Sequence, residues 1–459
     1  MTTTAESGPY IGTGGPAGLC LEDLHGSLTD PMSDSMNLLN EVAQRYPEAL
    51  SFAAGRPYEN FFEAEQVHRH LRVFCEHLSA VRGWSDEEVR RLLFQYGRTK
   101  GVIHDVVTRN LAVDEGFEPD PEAVVITVGC QEAMFLVLRA LRTSSRDAVL
   151  AVSPTYLGFN GAARLADMPV LPVRSGDDGV DLDDLVRTVL RARDDGLRPR
   201  ACYVIPDFSN PLGVSLRTDT RRRLLDLAKE HDLLLLEDNP YGLFPAGTSR
   251  PPTLKSLDTD RRVVYLGSFA KTVMPGARVG FVVADQEVTD GGGRRVGLFA
   301  DQLAKIKSML TVNTSPVAQA VVAGRLLENE HTLVRATARE AELYRGNRKV
   351  LLQGLEQRFP PGSGVSWNTP DGGFFLVLTV PFRTDDALLE HSARRHRVIW
   401  TPMHHFYAGR PYSHQIRLSF STLRHEQIRT GLDRLAGLVQ EQRAQAGQHT
   451  TDVPPYSNR

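Results

Sequence analysis

The sequence predicts an α/β fold in which a seven-stranded, mostly parallel sheet carries helices on both faces, with a smaller α+β domain beside it. Short, near-continuous runs of Val, Ile and Leu recur along the 459-residue chain, as in strands buried on both faces. Amphipathic stretches separate these runs, and strand–helix–strand alternation favours a parallel sheet. We expect the seven strands at residues 124–128, 148–152, 169–173, 202–206, 233–237, 263–266 and 278–284.

Helix-like spans lie between these strands, at 130–141, 182–192 and 218–231, and a charged one at 332–359 leads out of the sheet. Residues 364–438 have the pattern of strands plus one helix. We predict five regions: a flexible N-terminal segment (1–26), an arm that joins the small domain (27–85), a large domain (86–330), a small domain (331–440) and a flexible tail (441–459). A ligand is expected in the cleft between the two domains.

The composition excludes several classes of protein. A net charge of −3 gives no reason to expect nucleic acid or an anionic membrane as a partner. No apolar run approaches the ~20 residues that span a bilayer. The four cysteines are scattered as in reduced, cytoplasmic proteins. Adjacent side chains rarely point the same way, so the His404-His405 doublet predicts no metal site.

The strongest chemical indication is Lys271. It follows a buried strand and a Gly-Ser turn, where an ammonium group is costly unless it has a chemical role. A lysine that loses its proton can bond to an aldehyde, the step that anchors pyridoxal phosphate. Ser268 and Arg278 are candidates to hold the phosphate. The alternative is a surface turn with an incidental lysine.

Three further segments at strand ends suit the same cofactor, because the carboxyl ends of parallel strands meet at one edge of a sheet. Gly129, Cys130 and Gln131 open a helix whose free N–H groups suit a phosphate, although many α/β turns look similar. Tyr156 is either a ring that stacks on the pyridine or a core tyrosine. Asn210, held extended before a proline, points at the ring's phenolic oxygen or marks an ordinary turn.

Glu237 and Asp238 follow four leucines, and strand alternation sends their side chains to opposite faces. We expect Asp238 beside the pyridine nitrogen, where a carboxylate keeps the ring protonated. The alternative is that Asp238 is the N-cap of a helix. Tyr241 is expected to hydrogen-bond the ring oxygen. Arg417, inside a short alternating strand, suits a bidentate clamp on an α-carboxylate, or is an exposed strand arginine.

The order of these motifs resembles that of the class I/II (fold type I) pyridoxal-phosphate aminotransferases, and the resemblance covers residues 27–440. It implies transfer of an amino group between an L-amino acid and a 2-oxo acid, with Lys271, Asp238 and Tyr241 as catalytic residues. Gly55 and Asn210 would join Arg417 in binding the substrate carboxylate.

The resemblance also implies a homodimer with shared active sites. In the Tyr-Gly…Gly segment at 95–101, Tyr96 would reach the phosphate of the partner subunit's cofactor. Two departures from the family pattern concern the phosphate: Ala270 stands where serine is usual before the lysine, and Cys130 replaces the common serine after the phosphate glycine. Neither removes a reacting group.

The substrate is less well defined. The N-terminal region and the stretches at 307–314 and 400–407 are similar to dihydroxyphenylglycine transaminases of antibiotic pathways, and enzymes for arginine-derived residues remain open. Arg56, Glu59, His404 and His405 are candidates to line the side-chain pocket or to lie in surface loops. The same residues would serve an oxidase, lyase or decarboxylase. A ligand-sensing domain of a regulator is a remote alternative, because only 26 residues precede Ser27.

Overall fold

The computed structural model describes residues 18–30, 41–176, 179–407 and 413–451, the side chains only as far as residue 445. Most of the predicted N-terminal segment and the last part of the predicted tail, 452–459, lie outside the described residues. Among the helices that the structure describes, none combines the length and the hydropathy that a bilayer span needs.

The strands are, in chain order, β1 (Leu50–Ser51), β2 (Val124–Thr127), β3 (Asp147–Ser153), β4 (Val170–Arg174), β5 (Arg198–Val204), β6 (Leu234–Asp238), β7 (Val263–Ser268), β8 (Gly280–Val283), β9 (Glu287–Thr289), β10 (Arg295–Leu298), β11 (Ser366–Trp367), β12 (Phe375–Thr384), β13 (Val398–Ile399), β14 (Thr401–Pro402) and β15 (Ser413–Ser419). The α-helices span Ala64–Arg82, Asp86–Phe94, His104–Glu115, Gly129–Leu141, Leu157–Leu165, Leu182–Asp194, Thr218–Glu230, Leu254–Leu257, Phe299–Leu310, Pro316–Glu328, Leu333–Ala336, Ala338–Arg358, Asp386–His391 and His425–Thr451.

Seven of these strands form the main sheet, in the order β2-β8-β7-β6-β5-β3-β4. All neighbours are parallel except β8, which is antiparallel to both β2 and β7. The strand β8 returns beside β7 because only a short loop, the one that carries Lys271, connects the two. The predicted seven-stranded, mostly parallel sheet is confirmed.

Helices cover both faces of this sheet, as the continuous apolar runs predict. In β5, Tyr203 packs into the core that contains the helix Gly129–Leu141, whereas Cys202 packs into the core that contains Leu182–Asp194 and Thr218–Glu230. Consecutive residues of a strand point to opposite faces, so a sheet covered on both sides needs apolar residues at every position.

The small domain is built on the antiparallel sheet β11-β12-β15-β14, and the helices Ala338–Arg358 and His425–Thr451 pack together beside it. The predicted single helix within residues 364–438 is wrong, because Asp386–His391 is a second one. The last helix continues past residue 441, where the flexible tail is predicted to begin. There Glu441 accepts hydrogen bonds from His391 and His396, at 3.0 and 2.7 Å.

The predicted N-terminal arm divides between the two domains. Val42 and Phe52 lie in the small-domain core, and β1 pairs with β13. The helix Ala64–Arg82 instead packs on Pro316–Glu328 of the large domain, so closely that a side chain at Gly324 would overlap the backbone of the first helix. The chain therefore crosses from one domain to the other between residues 53 and 64, beside the site described next.

Candidate active site

A cleft of about 1380 Å³, including space open to solvent, lies where the carboxyl ends of the main strands meet the small-domain sheet. Most of the predicted site residues line it: Gly55, Cys130, Gln131, Tyr156, Asn210, Asp238, Tyr241, Ser268, Lys271, Arg278 and Arg417. The fold therefore brings together side chains from loops more than 300 residues apart in sequence.

Lys271 differs from the other lysines that lie inside the protein. Lys100, Lys255 and Lys307 are buried, and each has a carboxylate oxygen within 2.6–2.8 Å. The Nζ of Lys271 donates instead to the backbone oxygen of Gly55 at 2.9 Å, and it forms no ion pair with a described residue. A lysine in the cleft without a counter-ion is suited to lose its proton.

The electrostatics around Lys271 favour the neutral amine. Burial lowers the pKa of Lys271 to about 8, and the positive charges of Arg278, Arg417 and Arg56 act in the same direction, against the attraction of Asp238. The amine is therefore neutral in a large fraction of molecules near pH 8. The neutral amine is the nucleophilic form.

Asp238 ends β6 and is buried at the floor of the cleft. Its Oδ2 accepts a hydrogen bond from the Tyr203 hydroxyl at 2.6 Å, and the Cys130 thiol donates to its Oδ1 at 3.5 Å. Burial raises the pKa of Asp238 to about 6, while these hydrogen bonds and the charge of Lys271 oppose the rise. The carboxylate is thus mainly charged at neutral pH, and it caps no described helix.

Glu237 points to the opposite face of the sheet, as strand alternation predicts. Its two carboxyl oxygens accept from the backbone N–H groups of Leu254 and Lys255, at 2.8 and 2.7 Å. Burial raises the pKa of Glu237 to about 8, against these backbone hydrogen bonds. Glu237 therefore has a structural role outside the cleft.

Arg417 is a buried guanidinium without an anionic partner among the described residues. It donates to Asn210 Oδ1 at 2.6 Å, to the Ala53 oxygen at 2.8 Å and to Thr401 Oγ1 at 3.2 Å, and it lies 4.3 Å over the Phe375 ring. Its Nε has no hydrogen-bond partner in the described part of the chain, and burial lowers its pKa to about 10. The alternative of an exposed strand arginine is therefore wrong, and the guanidinium of Arg417 is suited to bind the carboxylate of a substrate.

The opposite end of the cleft forms a cradle for an anion. Gly129 opens its helix with φ +71°, and a side chain there would overlap the guanidinium of Arg278, which packs directly against it. Gly280 leaves no room for a Cβ against the backbone of Cys130. Ser268 ends β7 at the same place. Free helix N–H groups, a hydroxyl and an arginine without a described counter-ion suit a phosphate.

Tyr156 and Tyr241 also line the cleft. Burial raises the pKa of Tyr156 to about 12 and that of Tyr241 still higher, so both phenols remain protonated and can donate. The Gln131 amide donates to the backbone oxygen of Gly158, which fixes the side chain at the wall of the cleft.

His404 and His405 do not line the cleft. Both are buried, and their Nε2 atoms face the same Asp386 oxygen at 3.7 and 2.7 Å. The expectation that adjacent histidines diverge is therefore wrong here, because a short 3-10 turn brings their rings to 4.0 Å. The next residue, Phe406, does line the cleft.

Of the other predicted residues, Arg56 lines the cleft whereas Glu59 is exposed on a short turn outside it. Tyr96 is 87% exposed and lies in a separate surface groove. Its predicted contact is with a second subunit, and the single chain does not test it.

Sequence reasoning missed Tyr203, Phe375 and Phe406. Tyr203 lies in a buried strand, where a tyrosine hydroxyl needs a hydrogen-bond partner, and this was the one indication in the sequence that Tyr203 contacts a polar group. The two phenylalanines lie in small-domain segments, and local pattern does not show which segments approach the cleft.

Comparison with known proteins agrees with this geometry. The family described as aminotransferase class I and II matches residues 103–435. The chain is 55% identical over 421 residues to the (S)-3,5-dihydroxyphenylglycine transaminase of Amycolatopsis orientalis, covering 92% of this chain and 94% of that protein.

Two solved structures share the fold. Kynurenine aminotransferase of Pyrococcus horikoshii, in complex with PMP, superposes with a TM-score of 0.75 at 28% identity, over 88% of this chain and 94% of that one. The α-aminoadipate aminotransferase LysN of Thermus thermophilus, complexed with N-(5'-phosphopyridoxyl)-L-leucine, gives 0.71 at 28%, over 90% and 98%. These names do not favour an oxidase, a lyase, a decarboxylase or a regulator.

Proposed function

Because the chain belongs to the class I and II aminotransferases, which use pyridoxal phosphate, we propose that its amino substrate is (S)-3,5-dihydroxyphenylglycine or a closely related aromatic L-amino acid. A 2-oxo acid is the other substrate. The 55% identity over nearly the whole chain to a transaminase of that name supports the aromatic substrate. The observation that carries the mechanism is that Lys271 lines the cleft and has no counter-ion among the described residues.

The residues present fit the cofactor. Lys271 would hold the aldehyde carbon of the cofactor covalently. The cradle of Gly129, Ser268 and Arg278, together with the N–H groups at the start of the helix Gly129–Leu141, would bind its phosphate. When bound, the cofactor supplies a carbonyl carbon that accepts the amino group and a pyridine ring that takes up electrons from the substrate Cα.

The protein's own groups would then position the substrate and move the proton. Arg417, which has no counter-ion among the residues that the structure describes, would bind the α-carboxylate, with Asn210 and the Gly55 segment beside it. The neutral Nζ of Lys271 would take the proton from the substrate Cα. Asp238 would hold a proton on the ring nitrogen of the cofactor through a charge-assisted hydrogen bond.

Two tyrosines and the Phe375 ring complete the site. Tyr241 and Tyr156 both line the cleft. Tyr241 would donate to the phenolic oxygen of the cofactor, and Tyr156 would pack on its ring. Phe375 covers the Arg417 guanidinium and thereby excludes water from the carboxylate site. In a dry site the electrostatic interactions of Asp238 and Arg417 are stronger than in water.

The active unit in this proposal is a homodimer in which Tyr96 contributes to the partner's phosphate site. Its support is that three large side chains, Phe94, Tyr96 and Met309, are 73%, 87% and 86% exposed in the single chain. Contiguous patches of exposed apolar side chains mark interaction surfaces. Light scattering of the holoenzyme would measure twice the chain mass, and a monomeric active enzyme would contradict this part.

The substrate proposal is tested by a panel of amino acids against the purified holoenzyme. Each is mixed with the enzyme without an oxo acid, and loss of the absorbance of the lysine-bound cofactor reports the half-reaction. We expect arylglycines to react fastest. If arginine-derived amino acids react and arylglycines do not, the aromatic substrate is wrong although the family is unchanged.

A further inference from the structure

The charges that line the cleft do not balance. Among the described residues of its wall, Lys271, Arg278, Arg417 and Arg56 are basic, and Asp238 is the one carboxylate. A phosphate at Arg278 and an α-carboxylate at Arg417 account for two of these cations. Arg56 has no anion assigned to it, and it forms no ion pair with a described residue.

The backbone around Arg56 is held from two sides. The oxygen of Gly55 accepts from Lys271 at 2.9 Å, and the oxygen of Arg56 accepts from the buried Ser421 hydroxyl at 2.6 Å. Pro57 follows, and a residue before proline is restricted to an extended backbone. The backbone of Arg56 is therefore fixed between Lys271 and the segment that follows β15. The Arg56 side chain is exposed and lines the cleft.

We propose that Arg56 is a specificity-determining residue that binds the distal carboxylate of a dicarboxylic 2-oxo acid and of the amino acid formed from it. This inference rests on the proposed function. A guanidinium matches a carboxylate by two parallel hydrogen bonds, and it is charged at every pH at which the enzyme works. A phenolic side chain is neutral near pH 7 and gains much less from the same contact.

The rest of the cleft wall suits the aromatic substrate. Ala43, Ala53, Met134 and Phe406 present apolar surface to the same space. One cleft can therefore take an aromatic side chain on its apolar wall and a carboxylate on Arg56, which an enzyme that alternates between two unlike substrates needs. Arg56 then discriminates between the two half-reactions.

The test compares Arg56→Gln and Arg56→Lys in the holoenzyme, with Arg72→Gln as matched control on the exposed face of Ala64–Arg82. The probes are L-glutamate and 2-oxoglutarate for one half-reaction and (S)-3,5-dihydroxyphenylglycine for the other. We expect Arg56→Gln to raise the half-saturating concentration of both dicarboxylic probes about 10- to 100-fold, since each loses hydrogen bonds to a charged group. The dihydroxyphenylglycine half-reaction should lose much less than the dicarboxylic ones, and Arg56→Lys should recover part of the loss.

Three results would overturn the assignment. These are an equal loss for all probes, no change for the dicarboxylic probes, or a wild-type enzyme that uses dihydroxyphenylglycine but no dicarboxylic acid. A loss confined to subunit association, seen by light scattering, would assign Arg56 to the interface instead. A wild-type enzyme that reacts with no amino acid would instead refute the proposed function.

Discussion

Replacement of Asp238 by Asn tests the electronic part of the site. The side chain is 3% exposed, and one of its oxygens already accepts from Tyr203 at 2.6 Å. Asparagine retains the shape and that hydrogen bond, but it carries no charge to hold a proton on the ring nitrogen. Breaking a buried ion pair costs about 3–5 kcal/mol. If that energy is lost in the transition state, the amino-acid half-reaction slows roughly 100- to 5000-fold.

The assay is stopped-flow absorbance of the holoenzyme mixed with the amino acid. Glu237→Gln is the matched control, because it also replaces a buried carboxyl by an amide, one residue away on the opposite face. The control should react near the wild-type rate and lose about 1 kcal/mol of unfolding free energy, since the amide nitrogen that replaces one carboxyl oxygen cannot accept a backbone hydrogen bond. A slow Glu237→Gln beside a normal Asp238→Asn would refute the strand register and the placement of the ring.

Three further outcomes follow from the same geometry. Lys271→Ala should abolish turnover, with a trace restored by added amines that replace the proton carrier; turnover near the wild-type rate would contradict its role. The rate at which the apoenzyme binds pyridoxal phosphate should rise with pH, and the midpoint of that rise should lie near pH 8. The reason is that burial lowers the pKa of Lys271 to about 8 and that only the neutral amine reacts. A midpoint of the rate at the ordinary lysine value of 10.5 would contradict this. Arg417→Gln should lower kcat/KM for the amino acid about 10- to 100-fold through loss of charge-assisted bonds to the carboxylate, with cofactor affinity unchanged in a titration; an equal loss of cofactor affinity would place the residue elsewhere.

The pattern of apolar and polar residues along the sequence was enough to predict the strand positions and the side chains that each strand end presents. All seven main strands could be located, the inner ones because strands buried on both faces need apolar residues at consecutive positions. Successive side chains of a strand point to opposite faces, so the sequence could also assign Asp238 and Glu237 to different sides of the sheet. The direction of β8 could not be predicted, because a run of apolar residues has no orientation. The positions of His404 and His405 also depend on distant contacts, here with Asp386.

The central claim is that Lys271 is the residue that holds the cofactor. Borohydride reduction of the holoenzyme, followed by proteolysis and peptide mass spectrometry, tests it most directly. We expect one phosphopyridoxyl group per chain, on Lys271, and none on the ion-paired lysines Lys100, Lys255 and Lys307. A label on one of those three, or a holoenzyme that carries no reducible covalent link, would contradict the account.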